Sequence, residues 1–215
     1  SILLPSLQRA KDLAKGVVCM SNMKNVSTAL FTYATDFNDA AALYVVWPDA
    51  SGTPVTLYWH MFLTGTSRGL YTLSTMYMEK NDSFVCPTEA PEHFLGSSGA
   101  YGYHRDMKDM PILPTPRPAG VTADPVFVRV SEIPSDQILF GDTTFLTGGK
   151  WQQWAWFKSR SAAATETLLH TRHNETVNGL FHDGHVEASS PGELGKTGVL
   201  YYRDHQYVNQ VTPTP

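Results

Sequence analysis

A single apolar stripe governs what this chain can become. Leu3, Leu7, Ala10, Ala14, Val17, Met20, Met23, Val26, Leu30, Tyr33 and Phe37 recur every three or four positions, eleven sites over 34 residues at a mean step of 3.4. Between them stand Gln8, Arg9, Lys11, Asp12, Lys15, Lys24 and Asn25. The spacing predicts one amphipathic helix over 3–37, on the order of 50 Å long at about 1.5 Å per residue. That is longer than a domain of this size needs to cover a sheet, so one end is expected to protrude. Pro5 lies where a missing N–H costs least, and Gly16 weakens the middle by ~1 kcal/mol relative to Ala.

After Asn38 the texture changes. Short aromatic and β-branched runs, at 43–47, 55–59, 84–85, 126–130, 138–140, 177–181, 185–188 and 199–202, are separated by Gly, Pro, Asp and Asn, the signature of strands and turns. Met110 to Pro125, with five prolines, is expected to be a loop or extended crossing. A second, shorter helix is expected between Trp59 and Tyr77. One long helix followed by many short strands predicts an α+β fold, with the helix packed on a mainly antiparallel β-sheet with extended loops. Residues 1–37 are assigned to the helix and 38–215 to a head continuous with it as one domain.

Composition narrows the function classes. The 215 residues carry 16 basic and 20 acidic side chains, a net charge of −4; without clustered Lys and Arg there is no counterion-release footprint for nucleic acid. Hydrophobic residues at 42% against charged ones at 17% exclude a chain that stays unfolded. The longest apolar run, Ala40 to Trp47, is far short of the roughly 18 residues of a membrane span. The chain opens on Ser1-Ile2-Leu3-Leu4-Pro5 without a methionine, and is expected to derive from a longer product with an upstream targeting or anchoring segment.

Candidate chemistry concentrates in His170-Thr171-Arg172-His173-Asn174 and His182-Asp183-Gly184-His185. Four imidazoles and the Asp183 carboxylate suit a divalent metal, and a metal-dependent hydrolase built on His170, His173, His182, Asp183 and His185 is one alternative. Against it, Asp183-Gly184 is a strong two-residue hairpin signal, and strand alternation would keep the histidines apart. Trp151, Trp154 and Trp156 could form a stacking wall for carbohydrate, or serve as core material. Gly96-Ser97-Ser98-Gly99 lacks the context of a nucleophile elbow, and no phosphate-binding glycine loop or H-E-x-x-H is present. Cys19 and Cys86 could pair, with a bridge contributing ~4 kcal/mol on the chain-entropy model, or remain buried free thiols.

Several separated segments together resemble one family. They are Leu3-Leu4-Pro5-Ser6-Leu7 with Arg9-Ala10-Lys11, Cys19-Met20-Ser21-Asn22-Met23-Lys24, Phe84-Val85-Cys86-Pro87, Tyr101-Gly102-Tyr103, Pro134-Ser135, and Ile138 to Asp142. The series closes on His173, nine intervening residues, then Asp183-Gly184. The chain is similar to prepilin-type, pseudopilin-like proteins with a C-terminal H-x9-DG motif, along nearly its whole length. Gly179 stands where that family usually carries an aliphatic residue, His182 where it carries a small one, and Glu175-Thr176 replace a glycine-rich pair.

The resemblance implies a non-enzymatic subunit of a type II secretion or type IV pilus-like filament. Its upstream apolar half-helix would be processed by a prepilin peptidase and N-methylated, would anchor the precursor in the inner membrane, and would assemble with like subunits and the secretion or pilus machinery. The head would be periplasmic or extracellular, which favours a Cys19–Cys86 disulfide. His173, Asp183 and Gly184 would be structural. No catalytic or cofactor-binding residue is implied. Related major pseudopilins bind a structural calcium ion, and for such a divalent cation this chain offers Asp142, His173 and Asp183.

Overall fold

A computed structural model describes residues 3–49, 51–65, 75–79, 81–95, 99–107, 110–113, 126–161, 163 and 165–213. The chain begins with helix α1 (Leu3–Asp36), followed by strands β1 (Ala40–Pro48) and β2 (Pro54–Tyr58), the short helix α2 (Trp59–Leu63) and a 3-10 turn at Asp82–Phe84. Then come β3 (Gly102–His104), β4 (Val126–Arg129), β5 (Ile138–Gly141), β6 (Thr143–Thr147), β7 (Lys150–Gln152), β8 (Trp156–Phe157) and β9 (Leu168–His170). The chain closes with β10 (Val177–Phe181), β11 (Val186–Ser189), helix α3 (Pro191–Lys196), β12 (Tyr201–Arg203) and β13 (Asn209–Val211).

The strands form three sheets, ordered β2-β1-β4, β11-β10-β5-β3-β8 and β13-β12-β9-β6-β7. All pairings are antiparallel except β3 with β8 and β9 with β12. The α+β class expected from the sequence is therefore what the structure contains. β5 and β6 are one chain path that changes sheets at Asp142, so this residue sits where two sheets separate.

Helix α1 has two unlike halves. From Leu4 to Ala14 every residue is exposed, and Leu4, Leu7, Leu13 and Val17 show 73%, 69%, 61% and 61% of their surfaces. From Gly16 onward the helix lies over β10, β11, β1, the 3-10 turn and α2. Cys19, Met23 and Val26 are wholly buried, and Leu30, Tyr33 and Ala34 nearly so. Burying each large apolar side chain stabilises by roughly 2 kcal/mol. The outward face of this docked half is polar: Thr28, Thr32 and Thr35 are exposed and return their hydroxyls to the carbonyls of Lys24, Thr28 and Phe31. Asn38 and Asp39, at φ 53° and 69°, stop the helix and turn it into β1.

The docked half of α1 closes the main core over Leu43, Leu57, Trp59, Phe84, Tyr101, Phe140 and Leu180. A smaller core behind β10 gathers Ile138, Phe157, Leu169, Val177, Phe181, Leu194 and Val199. β10, covered on both sides, is buried at every position. Gly179 fits there because a Cβ would lie only 3.1 Å from Ile138.

Of four local expectations, the short helix and the extended proline-rich crossing are met over the described residues, and the strand at 84–85 and the two-residue hairpin are corrected. The helix expected within 59–77 is α2, a single turn and a half, and residues 66–74 lie outside the described ones. Phe84-Val85 is not a strand: the Asn81 side chain accepts from Ser83 N at 2.9 Å and starts a 3-10 turn instead. The hairpin between β10 and β11 has a three-residue loop, His182-Asp183-Gly184, because Leu180 pairs with Val186 and Phe181 N donates to His185 O. Gly184, at φ 84°, takes the left-handed position of that loop. Of the proline-rich segment, 110–113 are described and Ile112 bridges Val128; residues 114–125 and the turn residues 96–98 lie outside. Among the described residues no helix is long and apolar enough to cross a membrane.

Candidate functional site

Four chain segments converge beneath Gly16–Met23 of α1, and each contributes one donor. Cys19 comes from the helix, Cys86 follows the 3-10 turn, Asp142 sits at the β5–β6 junction, and His173 leads the tight turn before β10. All four are buried, and their ligand atoms lie within 4.8 Å of one another.

Local structure explains the convergence. Cys86 is fixed by Gln153, whose side-chain oxygen accepts from Cys86 N at 2.7 Å while its amide donates to the carbonyls of Cys86 and Glu89 at 2.9 and 2.8 Å. Asp142 is held by β10, its Oδ2 accepting from Asn178 N at 3.1 Å. His173 is presented by a two-residue turn in which Asn174 and Glu175 have φ 53° and 64°, closed by hydrogen bonds between His173 and Thr176. The helix meets the His173 ring at Gly16, where even a Cβ would be in ordinary van der Waals contact with it at 3.5 Å.

Within the cluster, Cys19 Sγ donates to Asp142 Oδ1 at 3.2 Å. His173 Nε2 lies 3.1 Å from Cys86 Sγ and 3.3 Å from Asp142 Oδ2. Burial pushes the Cys19 thiol up, reinforced by the hydrogen bond with Cys86 and the charge of Asp142. Burial also opposes ionisation of Cys86, but hydrogen bonds from Cys19 and His173 and the charge of Arg172 bring it down to about 6. Against the cost of burial, His173 and Arg172 hold Asp142 down to about 2, and Asp142 and Cys86 hold His173 up to about 10. Within the cluster the charges of Asp142 and Cys86 are thus opposed by His173 and the neighbouring Arg172.

The Cys19–Cys86 pair expected to be bridged is brought to one place, and both residues stand as free thiols. Each sulfur has other partners, Asp142 for Cys19, and Thr88 and His173 for Cys86. Asp142 and His173 meet as candidate cation ligands, but Asp183 does not join them. Its carboxylate lies on the exposed hairpin, accepting from His185 N at 2.9 Å and pairing with the His185 ring at 2.5 Å.

The histidines of the hydrolase alternative do not converge. His170 is buried against Glu89 at 3.4 Å and stacked on Tyr207, while His185 is exposed and stacked on Phe181. The three tryptophans also separate: Trp151 stacks on Tyr207 beneath the Arg203 guanidinium, Trp154 leans on Phe145, and Trp156 faces Arg105. A further Ser–His contact, Ser159 Oγ to His104 Nε2 at 2.7 Å, is wholly buried, and its other ring nitrogen faces the Ile138 carbonyl. That arrangement ties β3 to the end of β8.

The H-x9-DG residues acquire a shared physical role. His173 meets α1 at Gly16, and Gly184 meets it farther along, where a Cβ would lie 2.9 Å from Phe31 and 3.0 Å from Ser27. Lys24 Nζ donates to Gly184 O at 2.6 Å. The motif therefore seats the helix at two points along its docked half. Gln153 has no signal in the sequence, since a Gln-Gln pair between tryptophans has no characteristic spacing, and Arg172 stands in the candidate segment without a role of its own there. No family model matches this chain, and neither the curated proteins nor the solved structures contain a significant match.

Proposed function

We propose that this chain is a non-enzymatic subunit of a pilin- or pseudopilin-like filament, working at the cell envelope and assembling through the free half of α1. The observation that carries it is the leucine-bearing stretch from Leu4 to Ala14, in which every residue is exposed. Water-exposed leucines on a helix are costly unless a partner removes them, and packing like helices together buries such surface at roughly 25 cal/mol per Å2. In this account the helix continues upstream into an apolar half that anchors the precursor in the inner membrane. The head projects outside the cytoplasm, and the partners are like subunits and the secretion or pilus machinery rather than nucleic acid. The docked half of α1 joins head to filament rigidly, because its contacts belong to the main core.

The test is to express the full-length gene with a prepilin peptidase and follow processing, envelope retention and recovery of sheared assemblies. The native protein is expected to be processed and to assemble. A Leu7→Asp/Leu13→Asp double variant is expected to lose assembly while its head melts at the native temperature. Assembly unaffected by the double variant, or a full-length protein found free of the envelope and never processed, would contradict the proposal.

A further inference from the structure

We propose that Cys19, Cys86, Asp142 and His173 form a structural zinc site that staples helix α1 to the head. This goes beyond the assembly role and does not depend on it. The donor set is two thiols, one imidazole and one carboxylate, all types that zinc takes. A tetrahedral shell with bonds of about 2.0–2.3 Å places its donors roughly 3.3–3.8 Å apart. Three contacts in the cluster, at 3.1, 3.2 and 3.3 Å, fall at or just below that spacing, two of them to different oxygens of Asp142. The four ligand atoms lie within 4.8 Å of one another, so the shell closes by drawing the wider pairs in.

The chemistry selects the metal. Two sulfurs and an imidazole nitrogen against a single carboxylate disfavour calcium and magnesium, which want an oxygen cage. With four buried protein donors the site is closed, as in structural rather than catalytic zinc centres. Charge also closes: two thiolates and a carboxylate carry −3, zinc supplies +2, and the adjacent Arg172 supplies +1. Arg172 Nη2 donates to Thr143 O, its Nε and Nη1 are buried without hydrogen-bond partners, and its charge acts on Cys86, Asp142 and Cys19 as well as on Glu89 outside the donor set. A disulfide would use only the two sulfurs and would not account for the convergence of His173 and Asp142 on them.

The ligands come from four segments, Cys19 and Asp142 being 123 positions apart and Cys86 and His173 87 apart. Bound metal would therefore cross-link α1 to the 3-10 turn, the β5–β6 junction and the turn before β10. Because the unfolded chain offers no such site, binding energy becomes folding energy.

The experiment uses the chain purified under reducing conditions without metal-affinity resin. Elemental analysis is expected to find one zinc per chain, with both thiols unreactive to a thiol reagent until a chelator is added and melting lowered by the chelator. Cobalt exchange is expected to give a thiolate-to-cobalt charge-transfer band and the intense visible bands of tetrahedral cobalt. Cys86→Ser should reduce the charge-transfer intensity by about half, tracking the loss of one of two thiolates. Asp142→Asn, which preserves shape, should shift the visible bands and weaken binding at least tenfold, in the range seen when metal-site partners are lost. Reduced, folded protein that takes up neither zinc nor cobalt would overturn the proposal. So would a Cys19–Cys86 bridge forming in air despite excess zinc, or a cobalt spectrum indifferent to Asp142→Asn.

Discussion

The two halves of α1 share one apolar period and meet opposite fates. Leu7 and Leu30 occupy the same stripe, yet one is 69% exposed and the other 1%. In the docked half the stripe faces β10, β1 and α2 and the opposite face is threonine-rich; in the free half the stripe faces water. Periodicity thus encodes a helix with something to bury, and what buries it is decided by where the sheets end. Gly16 marks the boundary, the point where His173 reaches the helix.

Leu→Ala scanning is the sharpest way to break this comparison. Leu30→Ala should cost about 3 kcal/mol from lost burial and residual cavity, lowering the melting temperature by roughly 6–12 °C for a chain of this size. Leu7→Ala and Leu13→Ala should each stay within about 0.5 kcal/mol. Equal effects would mean that the halves are not distinct.

Gly184→Ala probes the second seat of the helix. The substitution places a Cβ against Phe31 and Ser27 at a positive φ, and should cost about 2–3 kcal/mol in denaturant melts. A neutral result would remove the hairpin from the docking of α1.

Much of this was legible in the sequence, for identifiable reasons. α1 was readable because its period persists over many turns, and its end was readable to within one residue. β1, β2, β5 and β10 were readable from dense β-branched and aromatic runs. The third sheet was legible only at β12, within the run 199–202: Leu168–His170 and Asn209–Val211 are three residues long, and pairing β9 with β12 depends on contacts remote in sequence. Its centre is held by Arg203, which is buried and donates to Thr144 O, Glu166 O and Asn209 Oδ1, a role that a basic residue does not announce. Within the site, Cys19, Cys86, Asp142 and His173 were each singled out, but as a bridge and a separate oxygen-preferring site. Only the passage of the chain from one sheet to the next at Asp142, beneath the helix, puts the thiols and the other two donors in one place.

Acid sensitivity should come from His170, remote from the free half of α1. Burial is the main cause of its lowered pKa, reinforced by Arg172, with Glu89 opposing the shift. Because the folded pKa lies below the unfolded 6.5, the neutral ring's stability is fully present above that value and is lost as pH falls through the folded one. Glu89, also lowered against the cost of its burial, adds to the loss further into acid. Stability should fall below pH 6.5 by up to about 1.4 kcal/mol per pH unit for one proton, and His170→Gln should flatten that first segment. A flat profile in the native protein would contradict the buried neutral ring.

A gain in stability is expected at the turn that presents His173. Glu175 holds φ 64° without being glycine, so Glu175→Gly should stabilise by about 1 kcal/mol, read as a small rise in melting temperature.

Hydrogen exchange, followed by mass spectrometry on the isolated chain and on assembled full-length protein, tests the division of α1 most directly. Amides from Leu7 to Ala14 should exchange rapidly in the isolated chain and become protected on assembly, while those from Met23 to Ala34 are slow in both. Strong protection of 7–14 in the isolated chain, or its absence after assembly, would contradict a helix that is half head and half filament.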